Sequence, residues 1–262
     1  MATNPNVTPQ PPQPSPSLQL SPEPAPLSEG QRLVDVFFAP SKTFTDLRRN
    51  ASWWAPFLII AIVSLLFVYT VDQKVGFRKV VGNMIQSQPK QADRIDRMPI
   101  DQRQTVMQQQ VTITKFISYV IPVIALLIYA VFAAILYATL KFGASADLKY
   151  KTLFALIVYA RLPLILGPLL AILSLLAGVS SDGFDLRNPV ATNLGYFIGP
   201  DGSPVLRALL TPLDAFSLWT LILTAIGISC ICKVKRGTAF AVVFGWFAVY
   251  VLGGVALAAA TS

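Results

Sequence analysis

Few side chains in this sequence are of the types that perform acid–base, redox or metal chemistry. The 262-residue chain contains no histidine, which excludes a His-based catalytic triad and zinc ligand sets that use histidine. Its cysteines, Cys230 and Cys232, are separated by one residue in an apolar run, and we interpret them as small apolar side chains of a membrane helix. We find no Gly-rich phosphate loop and no Gly-x-Ser-x-Gly motif. The sequence therefore predicts no catalytic residue, no cofactor and no metal, and a chain that is not an enzyme.

Arg161 is the strongest candidate for a functional side chain, because it lies in an apolar run beside Pro163. An ionisable residue inside a membrane span is a functional hypothesis by default, and the proline should break the helix. The acidic candidate for a partner is Asp214, but Arg161 should lie roughly 12 Å deep and Asp214 near the opposite face. We favour an arginine that extends to the cytoplasmic interface and an aspartate that caps the fourth span.

Long apolar runs must position these residues. The chain is 54% hydrophobic and 13% charged, whereas soluble domains carry roughly 25% charged residues. The runs predict an all-α, polytopic membrane helix bundle with about five transmembrane helices. Proline residues predict a kink in the third span, and the Gly- and Pro-rich connection before the fourth span predicts an irregular loop. The predicted spans cover residues 53–71, 116–140, 153–177, 212–232 and 237–260.

Three further segments surround this five-span domain, which we place at residues 53–260. Residues 1–30 are Pro-rich and predict a disordered tail. Residues 31–52 predict a juxtamembrane amphipathic segment in the membrane interface, with a capping box at Thr43-x-x-Asp46, although a plain linker is the alternative. Residues 72–115 are polar and predict one or two amphipathic helices outside the bilayer.

Aromatic and basic residues at the span ends predict the orientation. Short basic loops mark the cytoplasmic side of a membrane, and three cations stand within four residues before the last span. We therefore predict a cytoplasmic (inner) membrane protein with its N-terminus in the cytoplasm and its C-terminus outside. The net charge of +8 fits loops that face anionic lipid, and we predict no nucleic-acid partner. The predicted membrane-interface anchors are Trp53, Trp54, Lys233, Lys235 and Arg236.

Small residues recur in the last span, as in Ala241-x-x-x-Gly245 and Gly254-x-x-x-Ala258. Residues of this size at this spacing let helices approach closely. We favour packing within the chain, and a homo-oligomer is the alternative.

Several short segments of the chain are distinctive: LVDVFFAPSKTF at 33–44 with Trp53-Trp54, YARLP at 159–163, Asp214-x-FSLW at 214–219, and KRGTA at 235–239. These segments resemble the bacterial branch of the Yip-domain family, the relatives of the Ypt/Rab-interacting membrane proteins. The resemblance implies a five-pass fold with a cytosolic N-terminus. The Asp-Leu-Tyr-Gly-Pro-type motif of the eukaryotic members is not evident, so their contact with prenylated small GTPases does not carry over.

Two functions follow as hypotheses. The first is a non-enzymatic membrane scaffold or membrane-organising protein, whose partners are the lipid bilayer and an unknown membrane or cytoplasmic protein. The second is a transporter or channel subunit that uses Arg161 and the kinked third span as a polar pathway.

Overall fold

The computed structural model describes residues 25–199, 202–232 and 234–261, and within these ranges the chain is helical without a β-strand. The all-α prediction is confirmed. Most of the predicted disordered tail lies outside the described residues, and the last two residues of that segment begin the first helix. The α-helices are α1 (Glu29–Phe38), α2 (Pro40–Asp46), α3 (Trp54–Lys74), α4 (Phe77–Gln86), α5 (Pro89–Asp96), α6 (Ile100–Ala138), α7 (Tyr150–Ala160), α8 (Leu166–Leu176), α9 (Pro204–Leu210), α10 (Ala215–Ile231) and α11 (Arg236–Thr261).

Four helical segments of the described chain are long and apolar enough to cross a membrane, and α10 is a shorter apolar helix. With 17 residues, α10 is about 25 Å long. The predicted polytopic helix bundle is confirmed. The four long segments are Trp54–Lys74, Ile100–Gly143, Tyr150–Leu176 and Arg236–Ala260.

Helix α6 starts well before the predicted second span. It contains 39 residues and is therefore about 58 Å long, roughly twice the thickness of a hydrocarbon core. The predicted start at residue 116 lies inside this helix, because the polar residues 100–115 continue the same hydrogen-bonded ladder. Lys115 pairs with Asp72 of α3 at 2.8 Å, which marks the level where the polar part begins.

The third span is interrupted at the predicted position. Helix α7 ends at Ala160, a 3-10 turn covers Leu162–Ile165, and α8 follows. Pro163 stands in that turn, where it cannot donate the backbone hydrogen bond that an α-helix would need.

The predicted capping box at Thr43-x-x-Asp46 is wrong. The capping box of this region is Ser28 with Gln31, at the start of α1, whereas Thr43 lies inside α2 and donates its hydroxyl to the carbonyl of Arg32 at 3.1 Å. A residue pattern alone does not distinguish a helix start from a helix interior.

Helices α1 and α2 pack into the bundle instead of lying loosely at its edge. Val36, Phe44 and Leu47 have no exposed surface, and they belong to the main apolar core, which α7, α10 and α11 also form. Close contact of α10 with α7 depends on Gly227, because a Cβ at this position would lie 2.6 Å from Leu156 Cδ1.

Two other predictions need correction. The segment predicted as an irregular loop contains α9 and a 3-10 turn at Leu194–Phe197. The glycines of α11 do not pack against the described part of the chain, since a Cβ added at Gly245, Gly253 or Gly254 would meet nothing there within 4 Å. The buried side of α11 instead carries Ala239, Val243 and Val251.

Candidate functional site

Arg161 lies at the C-terminal end of α7, directly before the 3-10 turn. Its guanidinium carbon is 5.3 Å from the ring centre of Tyr129 and 5.4 Å from that of Phe132, both on α6. Such cation–π contacts stabilise a charge that has lost its water. The Nε atom of Arg161 is buried and has no hydrogen-bond partner among the residues that the structure describes. The guanidinium therefore lies among the helices, against two rings of α6. The sequence had instead led us to expect a side chain that extends to the membrane interface.

Asp214 does not neutralise Arg161. Its Oδ1 accepts hydrogen bonds from the backbone N–H groups of Phe216 and Ser217, each at 3.0 Å. Its Oδ2 accepts a hydrogen bond from the hydroxyl of Thr192. Asp214 is thus the N-cap of α10, the role that the sequence indicates. Among the described residues, no carboxylate forms an ion pair with Arg161.

Two adjoining cavities extend from Arg161 along α3, α6 and α8. The inner cavity measures about 220 Å³ and includes Arg161 and Tyr129. The outer cavity measures about 450 Å³ and reaches Arg187 in the loop after α8. Both are lined by Ser64, Ile121 and Pro168, so we treat them as one feature, the Arg161 groove. Apolar side chains form most of its wall, with few polar groups beside the two arginines.

A buried cluster of charged groups connects the N-terminal helices to the third span. Arg32 is only 2% exposed, and its Nε donates to Asp46 Oδ2 at 2.7 Å. Its Nη1 lies 3.3 Å from Glu29 Oε1, and the Tyr159 hydroxyl donates to Glu29 Oε2 at 2.7 Å. Burial acts to lower the pKa of Arg32, but the hydrogen bond and charge of Asp46 raise the pKa above its ordinary value.

Sequence reasoning missed this cluster. Arg32 and Asp46 are 14 residues apart and meet only because α1 and α2 fold back on each other. The available signal was Arg32, a charge directly before the apolar stretch Leu33–Phe38, since a charge beside such a stretch needs a partner when it is buried.

Helices α4 and α5 and residues 100–115 of α6 form an ordered unit that we call the platform. Its small core consists of Val81, Ile85 and Ile95, with Met107 and Val111 of α6 packed against it. The exposed outer surface of α6 in this unit carries Gln104, Thr105, Gln108 and Gln109, which line a polar depression of about 440 Å³.

The platform is attached to the loop after α8. Lys79 Nζ lies 2.6 Å from Asp182 Oδ1, and the hydrogen bond from Lys79 lowers the pKa of Asp182, with a further contribution from Ser180. Asn83 Nδ2 donates to the carbonyl of Phe184 at 3.1 Å. These contacts fix α4 to a segment more than 90 residues away in the chain.

The predicted interface anchors have different environments. Trp53 packs edge-on against Phe154 with ring centres 5.4 Å apart, whereas Trp54 is 57% exposed. Lys235 and Arg236 are exposed at the start of α11, and Lys233 lies outside the described residues. Across the described ranges, no three His, Cys, Asp or Glu side chains cluster closely enough to hold a metal ion, and both cysteines are free thiols.

The long apolar helices define the class of this chain, a polytopic α-helical membrane protein. The family model "Yip1 domain" matches residues 34–258, so the chain belongs to the Yip1 domain family. It is also similar to the membrane protein YknW of Bacillus subtilis (strain 168), with 26% identity over 230 residues that cover 87% of each chain. No solved structure matches the chain significantly. The family resemblance seen in the sequence is confirmed.

Proposed function

We propose that this Yip1 family protein is a non-enzymatic membrane scaffold that binds a protein partner on its platform. The observation that carries this proposal is the continuity of α6, which extends from the apolar bundle into the platform without a break. A partner bound to residues 100–115 would be attached rigidly to the membrane-spanning part.

Packing supports a platform that keeps its shape. Val80 and Phe77 of α4 are buried against Val71 of α3 and Leu175 of α8, and Lys79 and Asn83 add polar contacts to the loop after α8. A preorganised surface loses little conformational entropy when it binds, which favours specific association.

The charge of the platform indicates the chemistry of the partner. Residues 77–115 contain seven Lys or Arg and three Asp, a net charge of +4. Arg94 and Arg97 are exposed on this unit. A partner with an acidic surface would gain both faster encounter and correct orientation.

The proposed location follows from the same architecture. With five spans, the N-terminus and the platform are on opposite sides of the membrane. The exposed cations Lys149, Lys151, Lys235 and Arg236 are concentrated in short loops on the side of the N-terminus. The density of cations in short loops, and not their total number, therefore favours the cytoplasm for that side and the exterior for the platform. The partner would then be a protein with a domain outside the cytoplasm, such as another membrane protein of the cytoplasmic membrane.

Copurification from native membranes in mild detergent tests the scaffold. We expect wild-type protein to retain a partner, and the double variant R94E/R97E to lose most of it, because the net charge of the platform then falls from +4 to zero. The matched control is K149E/K151E, which makes the same charge change on the opposite side and should retain the partner. Equal recovery with both double variants would contradict the proposal.

The Arg161 groove is the observation that favours a second function, a transporter or channel subunit. In that case R161A should remain folded but abolish a solute flux into liposomes. The apolar wall of the groove makes this the less favoured candidate, because a pathway for polar solutes needs polar groups along its length.

A further inference from the structure

Arg161 carries a charge that the described part of the chain does not neutralise. Its guanidinium lies on two aromatic rings, and Nε is buried without a hydrogen-bond partner in the described ranges. The ionisable groups that act on it electrostatically are the hydroxyls of Tyr129 and Tyr250. The Arg161 side chain is only partly exposed, and charges removed from water in proteins are normally paired with an opposite charge. An anion in the groove would supply that partner.

The surroundings of this charge restrict the kind of anion. Most of the groove wall is apolar, and on α3 it extends from Ile60 to Val68, a rise of about 12 Å. A small hydrated anion would leave this wall in contact with water. An acyl chain would fill it, and the cavities are of the size that holds one small ligand.

We propose that the Arg161 groove binds a long-chain fatty acid, with its carboxylate at Arg161 and its acyl chain along the groove toward Arg187. A carboxylate matches the planar fork of a guanidinium and can accept two parallel hydrogen bonds from it. A phospholipid would require space for two chains and a larger head group. The proposal does not rest on the scaffold function, although Met84 and Thr114 of the platform line the outer cavity.

The head group must provide the selectivity of such a site. An acyl chain that leaves the bilayer for the groove exchanges one apolar environment for another, so its transfer contributes little to the free energy of binding. The ion pair with Arg161 forms only if the ligand is charged. Binding should thus distinguish a fatty acid from an alcohol of the same chain length.

Photolabelling of the wild-type protein in nanodiscs tests this directly. The probes are palmitic acid and hexadecanol, each with a diazirine in the middle of the chain. We expect the acid to label peptides that contain residues 60–68 and 114–125 about tenfold more than the alcohol, the effect of one charge-assisted hydrogen-bond pair. Equal labelling by the two probes would show that lipid chains merely fill a crevice, and would overturn the proposal.

Competition on the wild-type protein separates the two sources of an anionic head group. Unlabelled palmitate should reduce the labelling, while lysophosphatidate at the same concentration should reduce it less. Stronger competition by lysophosphatidate would assign the site to a phosphate lipid and contradict a fatty acid.

Variants then identify the residues involved. R161Q should reduce labelling by the acid to the level of the alcohol, and R161K should retain an intermediate level. S64F should reduce labelling by both probes, because Ser64 lines both cavities. The matched control R48Q changes an exposed arginine outside the groove and should label like wild type. Undiminished labelling of folded R161Q would overturn the role of Arg161, and the acid–alcohol comparison remains decisive if this variant does not fold.

Discussion

Arg32 and Asp46 show how single residues attach the N-terminal helices to the bundle. Both side chains are almost fully buried and are joined by two contacts of 2.7 Å. The Tyr159 hydroxyl extends this network from the third span through Glu29. Loss of one member of a buried pair is costly because the other charge stays behind without a partner.

We predict that R32M will destabilise the protein by about 3 kcal/mol and lower its melting temperature by roughly 5–10 °C. The double variant R32M/D46L should recover most of this loss, since it removes both buried charges. Thermal unfolding in detergent measures the effect, and R48M is the control at an exposed arginine. A melting temperature of R32M equal to that of R48M would show that the buried pair of Arg32 and Asp46 does not stabilise the folded protein.

Residues whose partners are close in sequence were predictable, whereas residues with distant partners were not. Asp214 caps α10 through N–H groups two and three residues ahead, a relation visible in the sequence. The environment of Arg161 depends on Tyr129 and Phe132 of another helix. The environment of Arg32 depends on the way α2 folds back on α1 and brings Asp46 to it. Neither could be deduced from local patterns, because they arise from packing between elements.

At the scale of elements, the contact between α7 and α10 depends on one glycine. Gly227 faces Leu156, and a Cβ would come within 2.6 Å of its Cδ1, closer than packed atoms allow. Gly245 on the neighbouring α11 has free space around its Cα. The two glycines thus provide a matched pair in adjacent apolar helices.

We predict that G227A will destabilise the protein by about 1–3 kcal/mol, the usual range for an overpacked core. G245A should be neutral or slightly stabilising, because alanine favours a helix over glycine. Melting temperatures of both variants, with G227A/L156A as the rescue, measure the difference. If G227A and G245A behave alike, α7 and α10 do not pack as described.

The attachment of α4 to the loop after α8 should depend on pH. The pKa of Asp182 lies below its ordinary value of 3.8 because of the hydrogen bond from Lys79. A carboxylate with a depressed pKa stabilises the folded arrangement above the ordinary pKa, and this contribution is lost as the pH falls through the depressed value. Acidification below about pH 4 should therefore loosen the contact.

Hydrogen exchange of residues 178–186 at decreasing pH, corrected for intrinsic exchange rates, measures this effect. D182N should show at neutral pH the faster exchange that wild type reaches only in acid. An acid-induced change of the same size in D182N would assign it to other groups.

The lengths of the elements were partly predictable. Apolar runs indicated the spans because a membrane requires them. The polar part of α6 was assigned to a separate segment, since hydrophobicity marks the edge of a bilayer but not the end of a helix. Tertiary support from α4 and α5 extends α6 beyond that edge.

At the scale of the whole molecule, the five-span arrangement predicts that the platform and the N-terminal side are on opposite sides of the membrane. Replacement of Cys230 and Cys232 by alanine gives a chain without thiols. A cysteine at Thr105 should then react with an impermeant maleimide in intact cells, and a cysteine at Lys149 only after permeabilisation. Reaction of both positions in intact cells would contradict the proposed orientation.

Site-specific photocrosslinking in native membranes tests whether the platform binds a protein partner. A photoreactive residue at Gln104 or Gln108, both exposed on α6, should form a discrete crosslinked product with one protein. The same residue at Lys151, which is exposed and lies on the opposite side in the proposed topology, is the control and should not form this product. A discrete product at the platform that disappears with R94E/R97E is the predicted result. Crosslinks to lipid alone at both platform positions would contradict the claim that the platform is a protein-binding surface.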